Sequence, residues 1–79
     1  MHVKVLGSGC ANCQRLAQHV GTALARVGLT ATVEKVEDYP SILAYGVTST
    51  PALVIDDEVV VAGRVPSATQ VEELLRARA

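Results

Sequence analysis

The chain has 79 residues, of which 49% are apolar, and its 7 basic and 8 acidic residues give a formal net charge of −1. That length suits one domain whose core removes only about 60–65% of the unfolded chain's surface from water. With no basic run, no Phe or Trp and only two Tyr, nucleic acid and anionic membrane are poor candidate partners.

No stretch approaches the roughly 18 apolar residues of a membrane span. Met1–Leu6 is too short for the apolar part of a secretion signal, and Gly7–Ser8–Gly9 follows it. The expectation is a cytoplasmic monomer.

Taken in chain order, Val3, Val5 and Leu6 predict a first strand over about 2–6. Cys13, Leu16, Ala17, Val20, Ala23, Leu24 and Val27 recur at i, i+3, i+4 and i+7, which predicts a helix over about 11–27. Gly28 supplies its stop. The β-branched run 30–36 predicts a second strand, so the first 36 residues read as a βαβ unit with parallel strands and a right-handed crossover.

Asp38 and Pro40 open a short second helix that Gly46 ends, with Ile42 and Leu43 expected to face inward. Residues 47–51 read as a loop. Residues 52–55 and 59–61 are two apolar β-runs around Asp56–Asp57–Glu58, a hairpin. Ser67 and Gln70 form a capping box for a last helix over about 68–78, with Val71, Leu74 and Leu75 on its apolar face. The order is β-α-β-α-β-β-α.

The two cysteines, Cys10 and Cys13, are three residues apart. A disulfide scaffold would need more cysteines, spread along the chain. Cys10 falls at the start of the first helix, where unpaired N–H groups and the helix dipole favour a thiolate. Thiolate is the form that attacks a disulfide. Cys13 lies one turn on, within reach of Cys10 and on the apolar stripe, so it should be the more buried. Cys10 is therefore the candidate nucleophile and Cys13 the candidate resolving cysteine, with Gly7, Ser8 and Gly9 leaving the approach to Cys10 open. C-x-x-C also serves zinc and copper sites, so the spacing alone leaves redox and soft-metal chemistry both open.

The stretches Gly7–Ser8–Gly9–Cys10–Ala11–Asn12–Cys13–Gln14, Tyr45–Leu53 and Gly63–Arg64–Val65, in this element order, resemble the thioredoxin superfamily. More narrowly, the chain is similar to the short, glutaredoxin-sized redox-active disulfide proteins, and the likeness covers essentially its whole length. The resemblance implies an α/β, thioredoxin-like fold with a four-stranded mixed sheet of order 2-1-3-4 and helices on both faces. It implies a cis Pro51 beside Cys10, with the backbone of Thr50 pairing with a substrate's extended chain. It also implies a protein disulfide as substrate, a thioredoxin-reductase-type electron donor, and no metal or organic cofactor.

Gly9 stands where thioredoxins proper usually carry Trp, and Ala11–Asn12 stands between the cysteines. The stretch 63–67 lacks the Gly-Gly-x-Asp-like segment with which glutaredoxins hold glutathione, which favours exchange with protein disulfides. Lys4 occupies the place of the family's buried acid. If it turns toward the cysteines its charge would lower a thiolate pKa; otherwise its stem packs and its amine reaches water.

The alternative reading is a soft-metal module that binds or transfers Cu(I) through the two thiolates. Heavy-metal-associated domains carry a similar loop before a helix, but with Met where this chain has Ser8, and they end in a strand. His19, off the apolar stripe, reads as a solvated residue. Tyr39 and Tyr45 flank the second helix as packing residues with wet hydroxyls.

Overall fold

The computed structural model describes residues 1–7 and 11–78. The elements are β1 (His2–Leu6), α1 (Ala11–Val27), β2 (Thr32–Val36), α2 (Tyr39–Ala44), β3 (Ala52–Ile55), β4 (Glu58–Ala62) and α3 (Ala68–Arg76). They form a four-stranded sheet of order β2-β1-β3-β4. β1 and β2 are parallel, whereas β3 is antiparallel to both β1 and β4. The element order is the one the residue patterns predict, and the sheet order is the one the thioredoxin-like resemblance implies.

Two apolar clusters hold the layers together. Val3 and Val5 of β1 pack with Leu16, Val20 and Ala23 of α1, Leu53 and Ile55 of β3, and Val71 and Leu75 of α3. On the other side Leu6, Ala52 and Val54 pack with Ile42 of α2, Val36 and Val47. Helices α1 and α3 thus cover one face and α2 the other. All four residues of β3 are buried, which is why that strand is a continuous apolar run rather than an alternating one.

Strand β2 starts at Thr32, not at residue 30. Thr32 is already level with His2, the first residue of β1, so the two residues before it have no ladder to join. The hairpin turn is two residues, not three: Asp56 (φ 49°) and Asp57 (φ 65°) adopt left-handed conformations, and Glu58 opens β4. Two such residues in a row match the right-handed twist of the strands they join. A bulge at Leu53/Val54 shifts the register, pairing Leu53 with Val61 and Val54 with Val59. The extra residue, Val60, lets Val60 and Val61 both meet the α1/α3 cluster while Val59 meets the α2 cluster.

Leu43 departs from expectation. It is 58% exposed whereas Ile42 is 2% exposed. Consecutive helical residues differ by about 100° in direction, and a six-residue helix resting on one flank buries only one of the two. Asp38 caps this helix and accepts from the Ser41 amide. Bonds from the Ser41 hydroxyl and then its amide hold the Asp38 carboxyl below the usual range. Its contribution to stability is therefore present at neutral pH and lost as pH falls through that depressed pKa.

At α3, both halves of the capping box form: Gln70 N donates to Ser67 Oγ at 3.2 Å, and Ser67 N donates to Gln70 Oε1 at 2.9 Å. Ser67→Ala is expected to cost about 1 kcal/mol, read as a lower urea midpoint with an unchanged slope. The helix ends at Arg76 rather than at residue 78: the Arg78 amide bonds the Leu75 carbonyl three residues back instead of four, and the Arg78 side chain reaches Glu58. No described helix is long and apolar enough to cross a membrane.

Candidate active site

Strand register builds one end of the molecule. Leu6 of β1 is level with Ala52 of β3, and Ala52 with Ala62 of β4. The residues just beyond those three, Gly7, Pro51 and Gly63, are therefore brought together from positions far apart in the chain. The Gly63 amide donates to Pro51 O at 2.9 Å, and the Gly7 amide donates to Val36 O at 2.9 Å. The Thr50–Pro51 peptide is cis.

Helix α1 begins at the same end, and Cys13 sits in its first turn, only 5% exposed. Its Sγ lies where a side chain on Gly7 would have to go, and the Thr50 Cβ is 3.7 Å from that same point. The missing side chain of Gly7 thus serves the packing of Cys13. Cys10 and its neighbours Ser8 and Gly9 lie outside the described residues. Ala11 opens α1, so in the chain Cys10 directly precedes the first helical residue. The first turn contains no acidic residue to offset the positive end of the helix dipole.

The charges beside Cys13 come from β2 and its continuation. A cavity of about 50 Å³ is lined by Val5, Gly7, Cys13, Gln14, Lys35 and Glu37. Lys35 is level with Val5 in the parallel ladder and so shares its face of the sheet. The period of two along β2 carried that signal, but only the β1–β2 pairing relates it to Cys13.

Lys4 faces the other way. It alternates with Val3 and Val5, on the side that α2 covers, and the sheet separates its amine from Cys13. Its Nζ donates to Tyr45 Oη at 2.6 Å and lies 3.8 Å from Asp57 Oδ1. The Tyr45 hydroxyl in turn donates to Asp57 Oδ1 at 3.2 Å. The bond to Tyr45, opposed by partial burial and helped by Asp57 and Glu34, raises the Lys4 pKa. The arrangement ties β1, the end of α2 and the β3–β4 turn together. Tyr45→Phe is expected to cost about 0.5–1.5 kcal/mol in chemical denaturation and to leave thiol reactivity unchanged.

His19 is not simply solvated. It is half-buried, and its Nδ1 donates to the Pro66 carbonyl at 2.7 Å. A carbonyl can only accept, so that nitrogen carries the proton. The bond fastens α1 to the segment between β4 and α3. Tyr39, 64% exposed, packs less than expected.

A buried thiol in the first turn of a helix, beside a cis-proline loop at the end of a 2-1-3-4 sheet, defines a class of thiol-bearing α/β proteins. Residues 1–76 match the family model described as "Thioredoxin domain". The chain is 36% identical over 75 residues to a thioredoxin of Methanothermobacter thermautotrophicus, covering 95% of this chain and 97% of that protein. It is 31% identical over 74 residues to a thioredoxin of Methanocaldococcus jannaschii, covering 94% of this chain and 85% of that one. The chain belongs to the thioredoxin domain family.

Proposed function

We propose that this chain is a thiol–disulfide oxidoreductase, one domain acting as a monomer, that exchanges electrons with protein disulfides through Cys10 and Cys13. The observation that carries this reading is the convergence of the buried Cys13, Gly7 and the Thr50–Pro51 loop at the start of α1. The two relatives named as thioredoxins support it.

In the reductive direction, the Cys10 thiolate attacks one sulfur of a substrate disulfide. The substrate S–S bond breaks, its second sulfur leaves as a thiolate and takes a proton, and a mixed disulfide remains on Cys10. Cys13 then loses its proton and attacks the Cys10 sulfur. This releases the second substrate thiol and leaves a Cys10–Cys13 disulfide. Two electrons have passed from the dithiol to the substrate, and a thioredoxin-reductase-type donor restores them. No metal or organic cofactor enters the sequence.

The residues fit these roles for physical reasons. The helix start lowers the pKa of a thiol placed before it, favouring Cys10 as the attacking group. Burial keeps Cys13 from attacking a protein disulfide directly and reserves it for the second step. The cavity beside Cys13 has room for a water, a route for its proton past Glu37 and Lys35. The exposed Thr50 offers its backbone to an extended substrate chain, as in strand addition.

The test is a titration of metal-free protein against a glutathione or dithiothreitol redox series, counting free thiols at each potential. A single two-electron transition is expected. Absence of any reversible intramolecular disulfide would remove the oxidoreductase reading, and stoichiometric Cu(I) binding by the same protein would then put the soft-metal reading in its place.

A further inference from the structure

The second step of the exchange requires Cys13 to lose its proton, although the residue is only 5% exposed. A base within reach, directly or through one water, makes such a transfer fast. Among the described residues packed around Cys13, few groups qualify. The first turn of α1 holds no acidic residue, and the loop 47–51 has no ionisable side chain. On β1, Lys4 lies on the other face of the sheet with Tyr45 and Asp57. The Asp38 carboxylate is turned to the Ser41 amide as the cap of α2. Lys35 and Glu37 are left, and both line the cavity at Cys13. An ammonium only donates, whereas a carboxylate accepts.

Strand register sets Glu37 beside the sulfur. β1 and β2 are level at Leu6 and Val36, and the Gly7 amide bonds the Val36 carbonyl. The parallel pairing thus runs one residue further and puts Glu37 next to Gly7. Cys13 Sγ fills the place of the side chain that Gly7 lacks. Level residues on adjacent strands share a face and stand about 5 Å apart, so the Glu37 side chain starts about 5 Å from that sulfur. The cavity that both residues line, about 50 Å³, has room for a water to bridge them. Glu37 is exposed, and no ion pair or hydrogen bond engages its side chain among the described residues. A proton received from the cavity side can therefore be passed on to solvent.

We infer that Glu37 accepts the Cys13 proton through a water in this cavity and so drives the resolving step. The inference rests on the thiol–disulfide reading and adds the base that its second step needs. The Cys13 S–H bond breaks, its electron pair stays on sulfur, and the proton passes by way of the water to the Glu37 carboxylate. The Cys13 thiolate attacks the Cys10 sulfur, the bond from Cys10 to the substrate breaks, and the substrate sulfur leaves as a thiolate. Glu37 then gives its proton to solvent, from which the leaving thiolate takes one. Lys35, two residues earlier on the same face, favours the Cys13 thiolate while it lasts. A carboxylate that took no proton would act in the opposite sense, because a negative charge disfavours a thiolate beside it. The sign of the effect of removing that charge is therefore diagnostic.

The experiment isolates the second step. Reduced protein is loaded on Cys10 at acid pH with one nitrothiobenzoate from dithiobis(nitrobenzoate), then jumped to neutral pH. Release of the second nitrothiobenzoate, followed by its absorbance, reports attack by Cys13. In Glu37→Gln this release is expected to slow at least about tenfold and to rise in proportion to hydroxide as the pH is raised, because bulk base then takes the proton. Loading, which needs no proton from Cys13, should keep its rate. Glu37→Asp keeps the carboxylate one methylene further back, and with a water to bridge the gap it should recover most of the rate. Unchanged or faster release in Glu37→Gln overturns the inference. Equal slowing in Glu37→Asp and Glu37→Gln also overturns it, since that marks a packing role. If the unaltered protein releases no second nitrothiobenzoate, the thiol–disulfide reading itself has failed and the proton acceptor with it.

Discussion

Cys13→Ser is expected to react with a protein disulfide once and then stop. Cys10 remains able to form the mixed disulfide, but no second thiol is present to displace the substrate. Intact-mass measurement should show one substrate adduct per chain, released by added dithiothreitol. Cys10→Ser should show no adduct, because the only remaining thiol is 5% exposed and packed against Gly7. Steady-state turnover should fall on the order of a thousandfold or more in both, as when other covalent nucleophiles are removed. The two variants separate the roles: an adduct on Cys13 in Cys10→Ser would reverse the assignment, and retained turnover in Cys10→Ser would remove it.

Gly7→Ala should do the greatest damage among small substitutions near the site. The added methyl would overlap Cys13 Sγ, which is one bond from Cβ on a buried helical residue and has little freedom to swing aside. Gly7 also has φ of 155°, a conformation that L side chains rarely adopt. Either α1 or the end of β1 must move, and overpacking of this kind costs about 1–3 kcal/mol. Displacing Cys13 should also slow the second step, so mixed disulfides should accumulate during turnover. Gly21→Ala is the control. It lies inside α1 with nothing within 4 Å of the new methyl, so it should gain about 0.5–1 kcal/mol from helix propensity. Urea denaturation of both variants gives the comparison. A loss below about 0.5 kcal/mol for Gly7→Ala would mean that α1 yields freely at this contact.

Local pattern carried much of the architecture. The apolar spacing of Leu16, Val20 and Ala23, the stop at Gly28 and the Ser67/Gln70 box all read correctly because each depends on neighbours within a turn or two. Where the structure departs from local pattern, the deciding contact is remote. The start of β2 depends on where β1 begins, and the inward face of α2 depends on which flank rests on the sheet, which buries Ile42 and leaves Leu43 exposed. His19 looked solvated because its acceptor, Pro66, is 47 residues away.

The amino-acid sequence by itself determined the order of elements and the position of Cys10 directly before α1, since these rest on spacing, capping and helix periodicity, while the family likeness rests on the motif stretches around Cys10–Cys13 and Thr50–Pro51. Only the tertiary structure decided which residues share an end of the molecule. Level positions Leu6, Ala52 and Ala62 bring Gly7, Pro51 and Gly63 together, which no local signal encodes. It also decided which lysine faces Cys13. Lys4 and Lys35 are both strand residues of alternating pattern, and the side each takes follows from strand pairing: Lys35 shares the face of Val5, while Lys4 turns to Tyr45 and Asp57. The physical reason is the same in each case. Periodicity states that a residue alternates, but only the packed sheet states against what.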